Sequence, residues 1–239
     1  MTEAEKSSEQ RTNEYGRPVG PTVADWAPVD APGPVTLEGR YCRLEPLDAG
    51  RHADQLFEEY VDTDPADWTY MSVGPFSARE AYREWVESAA ASTDPRFYAV
   101  VNGVSGGALG TVSLMRQDLA NGVIEVGNIM YSKRVQRTPI STEVQYLLMR
   151  YVFDELGNRR YEWKCDNLNK PSRRAAARLG FTYEGTFRQA VVYKGRSRDT
   201  AWFSMIDNEW LRNRDGFEEW LDPANFDDSG SQRGSLKVG

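Results

Sequence analysis

Three short apolar segments, Phe97–Val101, Ala108–Met115 and Val123–Tyr131, follow one another with only turn-forming residues between them. Asn102-Gly103 with Ser105-Gly106-Gly107, and then Asn121-Gly122, supply the turns, because Gly and Asn tolerate the positive φ of tight hairpin loops. Strands joined this way are neighbours in a sheet and run antiparallel. The period then changes. Ile140, Val144, Leu147, Leu148, Tyr151, Val152 and Leu156 recur at helical spacing, and Gly157 reads as the stop. A meander that passes into an amphipathic helix and then into further strands gives an α+β class, with a single mixed, mostly antiparallel central sheet flanked by helices.

The flanking segments fit that plan. Tyr41 to Leu44 reads as a first strand, and Leu47-Asp48 opens a helix carrying Leu56, Phe57 and Tyr60. Ser77-Ala78-Arg79-Glu80 has the form of a capping box ahead of Tyr82, Trp85 and Val86, so Ser77 is expected to cap a second helix. Arg160 to Cys165 is a strand, and Ser172 to Leu179 a short helix closed by Gly180. Thr186–Lys194 and Asp199–Ile206 form a hairpin, and Asn208 to Leu221 a last helix with Trp210, Phe217 and Trp220. Five prolines between Pro18 and Pro34 rule out a long helix in residues 1–34 and predict an extended arm, which Tyr15, Val23 or Trp26 could pin to the domain. The Gly/Ser-rich residues 227–239 are expected to be disordered. The folded domain is therefore placed at 35–226.

Composition narrows the chemistry. A formal charge of −7 argues against nucleic acid as a partner, since phosphate binding needs a basic face. No stretch reaches the roughly 18–20 apolar residues of a membrane span and the polar start lacks a signal-peptide core, so the expected compartment is the cytoplasm, without membrane partners. Cys42 and Cys165 lie far apart in apolar strands and read as reduced core thiols. One histidine, His52, would have to serve any His-based triad, metal site or general base, and a partly exposed helix residue is the simpler expectation. No metal is expected, and proton transfer falls to carboxylates, hydroxyls or water.

The run Val135-Gln136-Arg137-Thr138-Pro139-Ile140-Ser141-Thr142-Glu143 joins strand to helix, with Thr138 as N-cap and Pro139 as first helical residue. A well-capped helix explains that much. Its backbone N–H groups and positive dipole end also suit a pyrophosphate. About thirty residues later Asn169-Lys170-Pro171-Ser172 starts another helix, which Arg178-Leu179-Gly180-Phe181 ends.

Together these motifs resemble the acetyl-coenzyme A site of GNAT N-acetyltransferases, specifically the RimJ/RimL-like branch, over roughly Leu37 to Asp207. The resemblance implies a GNAT fold and acetyl transfer from acetyl-coenzyme A to a primary amine by direct attack. The acceptor would be a protein N-terminus or a small amine. Gln136, Arg137, Thr138, Ile140, Ser141 and Thr142 would then bind the pyrophosphate, with Pro139 and Ser141 standing where the family pattern has Gly or Ala. Asn169 would bind the pantetheine arm. Ser172 would protonate the departing thiolate, because the position where many members carry Tyr is Ala176 here. The backbone amides of Ile129 and Tyr131 would hold the pantetheine as an added strand. Glu125 is the first candidate for general base and Glu162 the second, each alternatively a sheet-face carboxylate paired with Arg159 or Arg160. Asn128 would orient a water, and Trp68 and Tyr70 would wall the acceptor pocket or lie in the core beneath a long loop. A non-catalytic acyl-coenzyme A sensor, or an interaction protein forming homodimers, remains the alternative.

Overall fold

A computed structural model describes residues 11–61 and 63–239; the first ten residues of the expected arm lie outside it. In chain order the elements are β1 (Leu37–Glu38), β2 (Cys42–Pro46), α1 (Ala49–Tyr60), α2 (Arg79–Ala91), β3 (Arg96–Asn102), β4 (Ala108–Asp118) and β5 (Val123–Tyr131). There follow α3 (Pro139–Arg150), β6 (Arg160–Asp166), α4 (Lys170–Arg178), β7 (Thr182–Tyr193), β8 (Arg196–Ile206) and α5 (Asp207–Leu221). The eight strands form one sheet in the order β1-β2-β3-β4-β5-β6-β8-β7. Every neighbouring pair is antiparallel except β5 and β6, whose connection crosses over through α3.

Alternation along each strand sends residues to two separate cores. Tyr98, Val100, Val112, Leu114, Ile124, Val126, Tyr161 and Trp163 meet α3 (Val144, Leu147, Leu148) and α5 (Trp210, Phe217) on one face. Ala99, Val101 and Met130 meet α1 and α2, through Leu56, Phe57, Tyr60, Tyr82 and Val86, on the other.

Several local expectations change. Ser77 does not cap α2: the first helical bond runs from the Tyr82 amide to the Ala78 carbonyl, which leaves Ser77 one residue outside the helix. The predicted single helix from 140 to 156 is α3 followed by a wider π-turn at Tyr151–Glu155, and Gly157 then ends it at φ +73°. His52 is fully buried rather than partly exposed. Its Nδ1 accepts from the Asp48 amide and its Nε2 meets Glu45 at 3.2 Å. Both cysteines are buried free thiols.

Of the three residues that could pin the arm, Trp26 does so: its indole donates to the Ala120 carbonyl and the Arg159 guanidinium lies over its ring. Tyr15 and Val23 are exposed. Where the sequence suggests a loose tail, Leu236 and Val238 pack on the larger core and the Gly239 amide donates to Asn213. Among the described residues no helix is long and apolar enough to cross a membrane.

Candidate active site

β5 and β6 share only four register pairs, from Val123–Arg160 to Val126–Trp163. Beyond them the strands part. The cause lies in β5, where Asn128 adopts φ +51° and the register with β4 shifts between Thr111 and Ser113. Such a bulge adds a residue and bends its strand, and Asn tolerates the left-handed conformation better than most residues. The Asn128 amide nitrogen donates to Ser113 Oγ at 2.9 Å, and Ser113 Oγ donates to the Gly127 carbonyl. Asn128 is therefore turned onto β4 as a lock for the bulge, not toward the gap as the water-orienting role requires.

The direction of the β5 amides follows from one bond. Ser132 N–H donates to the Leu109 carbonyl on the β4 side. Because backbone groups alternate across an antiparallel pair, Met130 also faces β4, and Ile129 and Tyr131 turn their N–H groups to the gap. The Gln136 amide reaches the Tyr131 carbonyl from that same side, at 2.9 Å. Chain leaving β5 and β6 passes into α3 and α4, so two helix N-termini follow the carboxyl ends of the parted strands, the usual ligand position of a parallel crossover.

At the start of α3 two hydroxyls have given their protons to backbone carbonyls and a third is an acceptor. Thr138 Oγ1 donates to the Val135 carbonyl, Ser141 Oγ donates to the Thr138 carbonyl, and buried Thr142 Oγ1 accepts from Arg178. The Ile140 side chain is buried in the core. What the loop offers an anion is backbone and charge. Among the described residues the amides of Arg137 and Ile140 have no protein acceptor, and Arg137 sits at φ +62°. Lys133 is paired with Asp67 and Arg134 with Glu59, whereas Arg137 has no carboxylate partner among the described residues.

At the start of α4, Asn169 Oδ1 accepts from the Ser172 amide, so Asn169 caps the helix and keeps its Nδ2 free among the described residues. Ser172 Oγ accepts from Trp163 Nε1 at 2.9 Å. That bond ties the hydroxyl to the last strand residue β5 and β6 share, and leaves its own proton to donate. Ala176 is fully buried in the larger core, so its methyl group is a packing choice.

Glu125 and Glu162 stand side by side in register on the α1/α2 face. Lys164 Nζ bridges them, at 2.9 Å and 2.6 Å; Arg160 adds to Glu162, and Arg116 to Glu125. Burial pushes the Glu125 carboxyl above its ordinary range against the pull of Lys164. Farther along the same face a cavity of about 370 Å³ is lined by Trp68, Tyr70, Asp166, Tyr193, Lys194 and Arg196, among others. Trp68 serves both expectations, being buried against Tyr60 and Phe76 while its edge reaches the cavity. Gly74 permits that packing, since a Cβ there would overlap the Trp68 ring.

Lys164, Asp166 and Tyr193 stand here with no motif to announce them. A periodic signal was present: Glu162, Lys164 and Asp166 alternate with Tyr161, Trp163 and Cys165, giving one strand a wholly charged face.

Residues 42–182 match the family model described as an acetyltransferase (GNAT) domain. The chain belongs to the GNAT acetyltransferase family. This GNAT chain is an acyltransferase by that membership and by its relatives. It is similar to a GCN5-related N-acetyltransferase from Brucella melitensis, at 47% identity and TM-score 0.87, over 90% of this chain and 97% of that one. It is 30% identical, over 70% of its length and 90% of the relative's, to Bacillus subtilis YdaF, named provisionally as a ribosomal N-acetyltransferase. The microcin C7 self-immunity acetyltransferase MccE, solved with acetyl-CoA and AMP, shares the fold at 21% identity and TM-score 0.62, over 70% of this chain and 93% of that one.

Proposed function

We propose that this GNAT protein moves an acetyl group from acetyl-coenzyme A to a primary amine by direct attack, as a member of the RimJ/RimL-like branch. The observation that carries the reading is the gap beyond Val126 and Trp163, with the Ile129 and Tyr131 N–H groups turned into it and two helix starts at its end. The complex of MccE with acetyl-CoA and the ribosomal name of YdaF support donor and amine acceptor respectively.

Acetyl-coenzyme A supplies an activated thioester. The chain supplies the rest. Ile129 and Tyr131 offer N–H groups that an extended pantetheine arm can pair with as an added strand, and one of them polarises the thioester carbonyl. The amides of Arg137 and Ile140 and the Arg137 guanidinium meet the pyrophosphate, and Asn169 Nδ2 meets the pantetheine amide. Thr138 and Ser141 shape this loop and donate nothing to it, their hydroxyl protons being given to backbone carbonyls, while buried Thr142 accepts from Arg178 and ties the helix start to α4. Glu125, whose affinity for a proton burial has raised, accepts the ammonium proton through water, with Lys164 bridging it to Glu162. Ser172, oriented by Trp163, gives its proton to the departing thiolate.

Thiol release from acetyl-coenzyme A across a library of primary amines tests this. Amine-dependent release is expected. A protein that binds the coenzyme and releases no thiol with any amine would instead be an acyl-coenzyme A sensor.

A further inference from the structure

A buried carboxylate is costly unless something counters its charge. In this chain Glu45 faces Arg43, Arg51 and His52; Glu125 and Glu162 share Lys164; Glu143 accepts three backbone amides. Asp166 differs. It is 6% exposed, accepts the Tyr193 hydroxyl at 2.9 Å and the Leu168 amide at 2.8 Å, and has no cation within ion-pair distance among the described residues. Burial first, and Asp166 second, push the Tyr193 hydroxyl up to about 12, so it remains a donor at neutral pH.

The missing charge has a place to come from, because Asp166 lines the cavity of about 370 Å³ whose other walls include Trp68 and Tyr70. Aromatic faces attract cations, and more strongly where water is excluded. The cavity's other charges are positive. Lys194 Nζ is held on the Trp68 carbonyl, and Arg196 is an exposed residue of the lining. They repel any second positive centre on a ligand that already has one at Asp166.

We propose that Asp166, held by Tyr193 against the aromatic wall of this cavity, is the counter-charge for the acceptor's ammonium group, and that Lys194 and Arg196 restrict the acceptor to amines carrying a single positive charge. The proposal rests on the transfer reading, since β6 carries Asp166 from the gap to the cavity. It selects among acceptors: monoamines enter, polyamines and aminoglycosides do not.

The test is calorimetric titration of 2-phenylethylammonium, neutral 2-phenylethanol and spermidine into the full chain, with and without coenzyme A. Wild type is expected to bind the ammonium at least about tenfold more tightly than the alcohol, a difference of ~1.4 kcal/mol, and more tightly than spermidine. Asp166→Asn should erase the preference over the alcohol, and Arg196→Glu, at an exposed position, should narrow the margin over spermidine. No ammonium preference in wild type, or a preference that survives Asp166→Asn, overturns the proposal. If Asp166→Asn does not fold, the Arg196→Glu result decides: an unchanged spermidine margin overturns it. An ammonium preference in a protein that coenzyme A neither binds nor stabilises would keep the ammonium site and overturn the transfer reading instead.

Discussion

Ser172 carries the sharpest residue-scale consequence. If its proton goes to the thiolate, Ser172→Ala lowers kcat by roughly ten- to a thousand-fold while leaving the KM for acetyl-coenzyme A nearly unchanged, because the hydroxyl acts in the transition state. An unchanged kcat would reduce Ser172 to a partner of Trp163 at a helix start. His52 makes a second prediction. Burial holds its imidazole below the ordinary 6.5. The unfolded chain therefore takes up a proton at a higher pH than the folded one, so the stability from neutral His52 is complete above pH 6.5 and is lost as pH falls through the folded value. Glu45 adds to this in the same direction: burial opposes ionisation, but Arg43, His52 and Arg51 together hold its carboxyl below 4.5. As His52 is the sole histidine, one imidazole signal in NMR reports the titration. A midpoint above 6.5 would contradict the burial argument.

At the scale of elements, one carboxylate of α3 holds the turn between β1 and β2. Glu143 accepts the amides of Arg40, Tyr41 and Cys42, each at 2.7 Å, which fixes the turn between β1 and β2 on the helix. Glu143→Ala strands three backbone donors, so a loss of about 3 kcal/mol or more is expected, read as a fall in Tm of about 6–12 °C for a chain of this size. A fall under about 2 °C would mean that the turn finds other acceptors. Such a contact is invisible in the sequence, where Glu143 lies some hundred positions from its partners. What was legible was local: the meander from 97 to 131, the apolar stripe of α3, Pro139 at its start and a second helix start within Asn169–Ser172. Ser77 misled because its capping pattern was sound while the helix started elsewhere. Thr138, Ser141 and Thr142 were legible as residues at the start of α3, but which carbonyls take the Thr138 and Ser141 protons, and that Arg178 donates to Thr142, only the fold decides.

At the scale of the molecule, the sheet is a frame for one discontinuity. Seven strand pairings hold eight strands, and the parallel one fails halfway along, opening the gap beside both cores. The family pattern led to the gap's residues, and the strand periodicity could have led to Asp166, but no sequence signal says that a carboxylate will be buried without a cation. If this gap receives acetyl-coenzyme A with its pyrophosphate at Arg137, the coenzyme stabilises the fold and Arg137 sets its affinity. The most direct measurement is Tm against acetyl-coenzyme A concentration for wild type and Arg137→Gln. A ligand that binds only the native state stabilises it by mass action, about 2.7 kcal/mol at a hundred times Kd. The wild-type Tm is expected to rise with concentration, and the Arg137→Gln curve to shift to higher coenzyme by roughly tenfold, as loss of a charge-assisted contact implies. A wild-type Tm that does not move at millimolar acetyl-coenzyme A would contradict the account.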